Sequence, residues 1–382
     1  HWCHVMAHES FEDPATANVM NELFVNIKVD REERPDIDQI YMAALHAMGQ
    51  PGGWPLTMFL TPLGEAFWGG TYFPSEASHG RPAFRDILTR VSDVFRSQPE
   101  QISKNIEQLR SAVTTKPFVS TQQDISDAQL TDFAKRLYSH MDSQYGGLQD
   151  APKFPNTQIL ELFFRRGHRT GIESFTGAAI KALEGMCSGG IRDHIGGGFA
   201  RYAVDEKWFV PHFEKMLYDN AQILTQLCIA EEITGRGRFR VIAEELVDWL
   251  QREMIADNGM FASSLDADSD HVEGKYYCWT LEELAEVLDT EELALFENIY
   301  RIETGGNWTE HHTGLRTNII HQIGSPHNFG EGPQLSTIKK KLQQVRSTRI
   351  PPGRDDKILA DWNALMITAC LLYTSPSPRD QR

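Results

Sequence analysis

In residues 24–30, FVNIKVD, apolar Val25, Ile27 and Val29 alternate with polar neighbours, and residues 55–60, PLTMFL, form a second short β-favouring run. Both are predicted as strands, and the helical spacing from Asp36 to Met48 between them gives β-α-β grammar in which the two strands are expected to pair as neighbours. A third extended stretch, EAFWGGTYF at 65–73, follows a Pro-Leu-Gly turn. An amphipathic helix is then predicted from about Pro82 to Phe95, with Phe84, Ile87, Leu88 and Val91 on one face.

Periodicity lapses between Val113 and Ile125, where TTKPFVSTQQD reads as a linker. The expected organisation is therefore an α/β domain over 1–112, a linker over 113–125, and a helical domain from 126. Beyond the linker the apolar sets Leu130/Phe133/Leu137/Met141, Phe175/Ala178/Ala182/Met186, Phe213/Met216/Leu217/Leu224/Cys228 and Ile242/Leu246/Trp249/Leu250 each mark one buried helix face. Their connections, above all 189–212 and 257–280, are long and rich in Gly, Asp and aromatics, which places chemistry on the loops. Near Leu371 the helical pattern gives way to LLYTSPSPRDQR, which reads as translated adapter, so 370–382 is set apart from the domain ending at 369. The chain opens on His1, already inside what reads as an active-site turn entering a helix near His4.

Charge narrows the function classes. The 37 basic against 53 acidic residues give a net charge of −16, which repels polyanions, so neither nucleic acid nor an anionic membrane is an expected partner. No apolar run reaches the roughly 18 residues that a membrane helix needs. The five cysteines stand at 3, 187, 228, 278 and 370, without an internal CxxC or zinc-type pairing, which argues against a disulfide framework and for a cytoplasmic setting. Cys228 and Cys278 read as core thiols.

Two regions carry candidate chemistry. Cys3, at the start of a helix, sits where unpaired backbone N–H groups favour a thiolate. Pro55, at the start of a strand directly after Gly52, Gly53 and Trp54, has a position that suits a cis-proline packed near a redox cysteine and gripping an extended substrate, or equally a trans-proline at an edge. Further along, Asp193, His194, Arg201, Tyr202, Asp205, Trp208, His212, Glu214 and Asp219 crowd around Gly196–Gly198. Aromatics stack on sugar faces, arginine and carboxylates bond hydroxyls, and a carboxylate or His against an apolar wall is tuned for proton transfer. Asp205, His212, Glu214, Asp266 and Asp268 are the acid/base candidates, with Arg201, Tyr202 and Trp208 for substrate binding, and all of these but Tyr202 are expected in one cleft. In the blander reading, His212 and Glu214 cap a helix starting near Phe213 and Arg201 bridges Asp205. The glycines are no dinucleotide fingerprint, and DADSD at 266–270 fails as a calcium loop because His271 and Tyr277 replace its glycine and glutamate. Neither metal nor cofactor is called for.

The segments HWCHVMAHESFEDPATANVMNELFVNIKVDREERPDIDQIYM and GQPGGWPLTMFLTPLGEAFWGGTYFP closely resemble the spermatogenesis-associated protein 20, or YyaL-type, family. The resemblance continues through 193–221, 263–283 and 355–367. It implies a thioredoxin-like domain fused to an all-α (α/α)6 six-hairpin toroid, both incomplete here. In that family the motif reads C-H-W-C, so Cys3 would be the resolving cysteine, with Trp54 and Pro55 as substrate-binding residues and the attacking cysteine just before His1. The implied partners are a client thiol protein or a carbohydrate ligand; the expected roles are thiol-disulfide exchange, a carbohydrate-active barrel of epimerase or hydrolase type, or a non-catalytic scaffold.

Overall fold

The computed structural model describes residues 2–78, 80–114, 124–311, 313–324 and 332–374. The chain divides into two compact units, His1–Gln123 and Asp124–Arg382.

The first unit runs α1 (Trp2–Met6), a π-helical turn (Ala7–Phe11), α2 (Pro14–Leu23), α3 (Pro35–Ala47), β1 (Thr57–Leu60), β2 (Ala66–Gly70), α4 (Phe84–Ser97) and α5 (Pro99–Thr114). Asp13 starts α2 by accepting the Thr16 N–H at 2.8 Å, and Pro14 takes the first helical position, where its missing N–H costs nothing. β1 and β2 form an antiparallel hairpin, Thr57 opposite Gly70 and Phe59 opposite Trp68. The core beneath it joins Met6, Phe59, Phe67, Phe73, Phe84, Ile87, Leu88 and Ile102, with Phe73 and Phe84 stacked at 5.8 Å. The predicted helix 82–95 is thus α4, and its apolar face is buried as expected.

The predicted strand at 24–30 is not formed. Those residues carry no strand structure, Val25 is 90% and Ile27 76% exposed, and β1 pairs with β2 alone among the described residues. Alternation supplies one apolar face, but a strand also needs a neighbour for its N–H and C=O groups, and among the described residues none pairs with this segment. Cys3 likewise lies within the first turn of α1 rather than before it.

The second unit is helix-rich. It runs α6 (Asp127–Tyr138), α7 (Thr157–Thr170), α8 (Glu173–Ser188), β3 (Tyr202–Ala203), β4 (Pro211–His212), β5 (Lys215–Met216), α9 (Leu217–Thr234) and α10 (Gly237–Trp249). It continues through β6 (Ser264–Leu265), β7 (Asp268–Ser269), β8 (Val272–Glu273), α11 (Leu281–Val287), α12 (Thr290–Ile299), β9 (Trp308–Thr309), β10 (Arg316–Thr317), α13 (Pro333–Arg346), β11 (Arg354–Asp355) and α14 (Ala360–Thr374). Two helical hairpins share one device: Gly171 ends α7 at φ 72° and Gly235 ends α9 at φ 66°, left-handed positions that let the chain turn directly into α8 and α10. Helix α9 is buried nearly all round, through Leu217, Ala221, Ile223, Leu224, Leu227 and Ala230, and packs against α14, α10 and α7. Contrary to the expected end of the helical pattern near Leu371, α14 continues through Thr374, and Tyr373 packs on the main core.

Short strands tie the loops together. Leu265 pairs with both Lys215 and Arg354, which makes the three-stranded sheet β11-β6-β5, while β3 pairs with β4 and β7 with β8. No helix among the described residues is long and apolar enough to cross a membrane.

Candidate functional site

The β3–β4 hairpin sets Tyr202 opposite His212, and their rings stack at 5.0 Å. The next residue outward, Arg201, donates its backbone N–H to Glu214 O at 2.8 Å, and its Nη1 lies 3.1 Å from Glu214 Oε2. His212 sits between two carboxylates, with Nδ1 2.8 Å from Glu273 Oε1 and Nε2 3.8 Å from Glu214 Oε2. Glu273 arrives from β8, 61 residues away in sequence. The loops therefore converge, through strand pairing rather than through helix ends alone.

Helix α9 adds Tyr218 and Asp219 from its first turn. Burial raises the Asp219 carboxyl to about 7; Arg201 opposes this and Glu214 adds to it, and Asp219 Oδ2 has no hydrogen-bond partner. Burial, with Asp219 beside it, also lifts the Tyr218 phenol to about 12. Arg201 is shifted upward although burial works against its charge, because Tyr218 and Glu214 outweigh that penalty. Tyr218 meets Trp362 edge to face at 4.7 Å, and on the other side Phe154 lies 4.8 Å from Tyr202. The cluster thus holds one guanidinium, a buried carboxyl poised near neutrality, a Glu-His-Glu row and aromatic walls. Its charged members are neither sealed nor fully wet: Arg201 is 29%, Glu214 26% and His212 20% exposed.

Of the residues singled out from sequence, Arg201, Tyr202, His212 and Glu214 meet here. Arg201 bridges Glu214, not Asp205. Asp205 instead closes the turn between β3 and β4, accepting the N–H groups of Lys207, Phe209 and Val210 at 2.6, 3.2 and 2.5 Å. Trp208 is completely buried and offers no ring face to a substrate; its indole N–H points to Tyr145 O and Gly146 O at 3.2 and 3.3 Å. Asp266 follows Leu265, the partner of Lys215, but its Oδ1 accepts the Ala267 N–H at 2.7 Å. Exposed Asp268 stands opposite Glu273 in the β7–β8 pair. Glu273, Asp219, Tyr218 and Phe154 were not assigned roles from sequence. Asp219 lay inside the dense polar stretch, whereas nothing local marks Glu273 or Phe154, which only pairing brings in.

Directly behind Glu214, the side chain of Lys215 enters the interior. Its Nζ bonds Asp193 Oδ2 at 2.9 Å and Gly197 O at 2.8 Å, and Arg346 Nη1 reaches Asp193 Oδ1 at 2.8 Å. Burial alone would raise the Asp193 carboxyl, yet Arg346 and Lys215 hold it well below the usual range. Gly198, at φ 79°, lies so close to Trp249 that an added Cβ would come within 2.7 Å of the indole. The glycine-rich loop is thus a packed floor braced by a buried ion triad.

In the first unit, Cys3 is exposed in α1 and the Trp54–Pro55 bond is cis, as the position of Pro55 allowed. Trp54 is fixed: its Nε1 donates to Asp38 Oδ1 at 2.8 Å and the Arg31 guanidinium lies 4.1 Å over its ring.

A family model described as Thioredox_DsbH, protein of unknown function, DUF255, matches residues 1–114. Human spermatogenesis-associated protein 20 is 34% identical over 412 residues, covering 96% of this chain and 51% of that protein. The chain is homologous to spermatogenesis-associated protein 20 over nearly its whole length. The rat member is 33% identical with the same coverage, so the chain spans about half the length of the curated family members it matches. Among solved structures, an unsaturated glucuronyl hydrolase specific for heparin aligns with 90% of this chain and 97% of its own, at 13% identity and TM-score 0.34. A sugar epimerase from a ruminal bacterium aligns with 36% of this chain and 37% of its own, at 17% identity and TM-score 0.32. The N-terminal unit is thus thioredoxin-like by its family match, and the second unit of this chain is built on helical hairpins.

Proposed function

We propose that the second unit performs acid/base chemistry on a polyhydroxylated, sugar-like substrate, with Asp219 as the proton donor and Glu214 as the carboxylate working beside it. The supporting observation is a pair of neighbouring acids in different surroundings: Asp219 is half-buried with Oδ2 enclosed and its carboxyl raised to about 7, while Glu214 accepts a hydrogen bond from the Arg201 guanidinium. An acid that holds its proton beside a second carboxyl group is the pairing that general acid/base chemistry on a sugar uses. Arg201 orients Glu214, and the Tyr202 and His212 rings supply the adjoining wall.

The test is turnover by the intact chain, scored as aryl-glycoside hydrolysis and as deuterium uptake from solvent into free sugars. Asp219→Asn should abolish whichever activity appears while leaving the fold intact. An Asp219→Asn protein as active as the parent would remove Asp219 from the mechanism.

A second reading concerns the first unit, where an exposed Cys3 in a helix's first turn lies inside the segment that matches the Thioredox_DsbH model. It is read as a thiol-exchange module for a client disulfide: the Cys3 thiolate attacks one client sulfur, a Cys3–client disulfide forms, and the other client sulfur leaves as a thiolate. Cys3 is the one cysteine in residues 1–123, so the chain as it stands would form a mixed disulfide without resolving it internally. Trapping of a disulfide-bonded peptide on Cys3 with release of its second sulfur as a free thiol, lost in Cys3→Ser, tests this. The wide spacing of the five cysteines suits a reducing compartment, and the cytoplasm is the setting this reading adopts.

A further inference from the structure

We infer that the row Phe154–Tyr202–His212 is the stacking subsite for an uncharged sugar ring, and that Glu214 and Glu273 beside it exclude sugars bearing carboxylate or phosphate. The inference rests on the acid/base reading above and names the substrate class of that site.

A single exposed aromatic on a protein surface is ordinary. Phe154 differs in being held rigidly. Its neighbour Lys153 exchanges two backbone hydrogen bonds with Ala203 of β3, Lys153 N to Ala203 O at 2.8 Å and Ala203 N to Lys153 O at 2.9 Å. The Lys153 ammonium is itself buried and anchored by Asp142 at 2.5 Å and Gly146 O at 2.8 Å. From that anchor the Phe154 ring stands 41% exposed at 4.8 Å from Tyr202, which also stacks on His212 at 5.0 Å. The result is a continuous aromatic row that begins in solvent and ends between two carboxylates. A pyranose presents an apolar C–H face and a rim of hydroxyls, so it can stack on the exposed Phe154 ring at the solvent end of the row, with its hydroxyl rim turned toward the polar end that holds Glu214, Glu273 and Arg201.

Charge decides which pyranose fits. Among the described residues in the cluster, Arg201 is the one guanidinium or ammonium, and it is already committed to Glu214. Glu214 and Glu273 stand against it. An anionic substituent would find no available cation and would meet two carboxylates in a partly desolvated setting, where like charges repel strongly. Uncharged hydroxyls meet no such penalty.

The experiment is binding of a sugar panel to the intact chain by ligand-observed NMR and calorimetry: methyl β-D-glucopyranoside, its glucuronate analogue and glucose 6-phosphate. The glucoside should bind at least about tenfold tighter than either anion, a difference of about 1.4 kcal/mol. Phe154→Ala should weaken glucoside binding by about the same factor, and Phe154→Trp, which keeps a stacking face, should restore it. Glu273→Gln should narrow the gap between neutral and anionic sugars several-fold, as should added salt. Anionic sugars binding as tightly as the glucoside, or a folded Phe154→Ala chain binding like the parent, would overturn this inference and leave the acid/base reading standing. A panel in which no sugar binds would remove the acid/base reading on sugars itself, and the subsite with it.

Discussion

Glu214 and Lys215 are consecutive residues whose side chains serve opposite sides of one strand edge: Glu214 Oε2 meets Arg201 at 3.1 Å in the half-buried cluster, and Lys215 Nζ meets Asp193 at 2.9 Å in the interior. The alternation of an extended backbone makes this possible. It also means that the candidate site and the ion triad under it can be perturbed separately.

Asp219 should cost stability in return for its proton. Its pKa is about 7 in the folded chain against an ordinary 3.8, so the native state keeps a proton that the unfolded chain releases between those values. The group therefore burdens the fold progressively as pH rises through that window. Asp219→Asn, neutral throughout, should be more stable than the parent by on the order of 2–4 kcal/mol above neutral pH, with the gap shrinking toward pH ~4.5. Urea midpoints across this range measure it, and a gap independent of pH would contradict the assignment.

Asp193 should behave with the opposite sign. Its depressed pKa means that the stability it contributes is present above the ordinary carboxylate value and is lost as acid titrates the native group well below it. Asp193→Asn leaves Lys215 and Arg346 buried without their counter-charge and should destabilise the chain by about 3–5 kcal/mol at neutral pH. A variant within about 1 kcal/mol of the parent in denaturant titration would show that the triad contributes little.

Trp208 is expected to be a structural plug. Truncation to Ala should cost about 3–5 kcal/mol, as for other fully buried aromatics. Gly185→Ala offers an independent check, because an added Cβ would lie 2.3 Å from Tyr145 O and 2.9 Å from the Trp208 ring. If Trp208→Phe remains folded, its sugar binding should match the parent, and a selective loss of binding would return Trp208 to the site.

Thiol labelling should discriminate sharply in the native chain. Cys3 is exposed, Cys187 and Cys278 are buried, and burial lifts the Cys228 and Cys278 thiols to about 11 and about 12. Iodoacetamide at neutral pH, followed by peptide mass spectrometry, should therefore modify Cys3 first and all five only after denaturation. Rapid native labelling of Cys187 or Cys278 would mean that the second unit's core opens readily.

Local patterning made much of the architecture legible. The apolar faces of α4, α8 and α10, the β1 and β2 runs and the dense loop around Gly196–Gly198 all follow from spacing and composition in short windows. Where an inference depended on a partner supplied by distant chain, it was open to reversal. Residues 24–30 carry strand-like alternation yet form no ladder, and Asp205, as polar as Glu214, is consumed by three backbone N–H groups of its own turn.

The sequence by itself determined the helical second unit, the α/β first unit and the concentration of acidic and aromatic residues on a few loops, because helix periodicity and turn chemistry are local properties. Only tertiary structure decided which of those residues act together. The pairing of Tyr202 with His212, of Lys215 with Leu265 and of Asp268 with Glu273 set the cluster's membership, and burial of Asp219 beside Glu214 set its proton affinity. Strand register and desolvation depend on residues tens of positions away, and no short window of sequence contains that information.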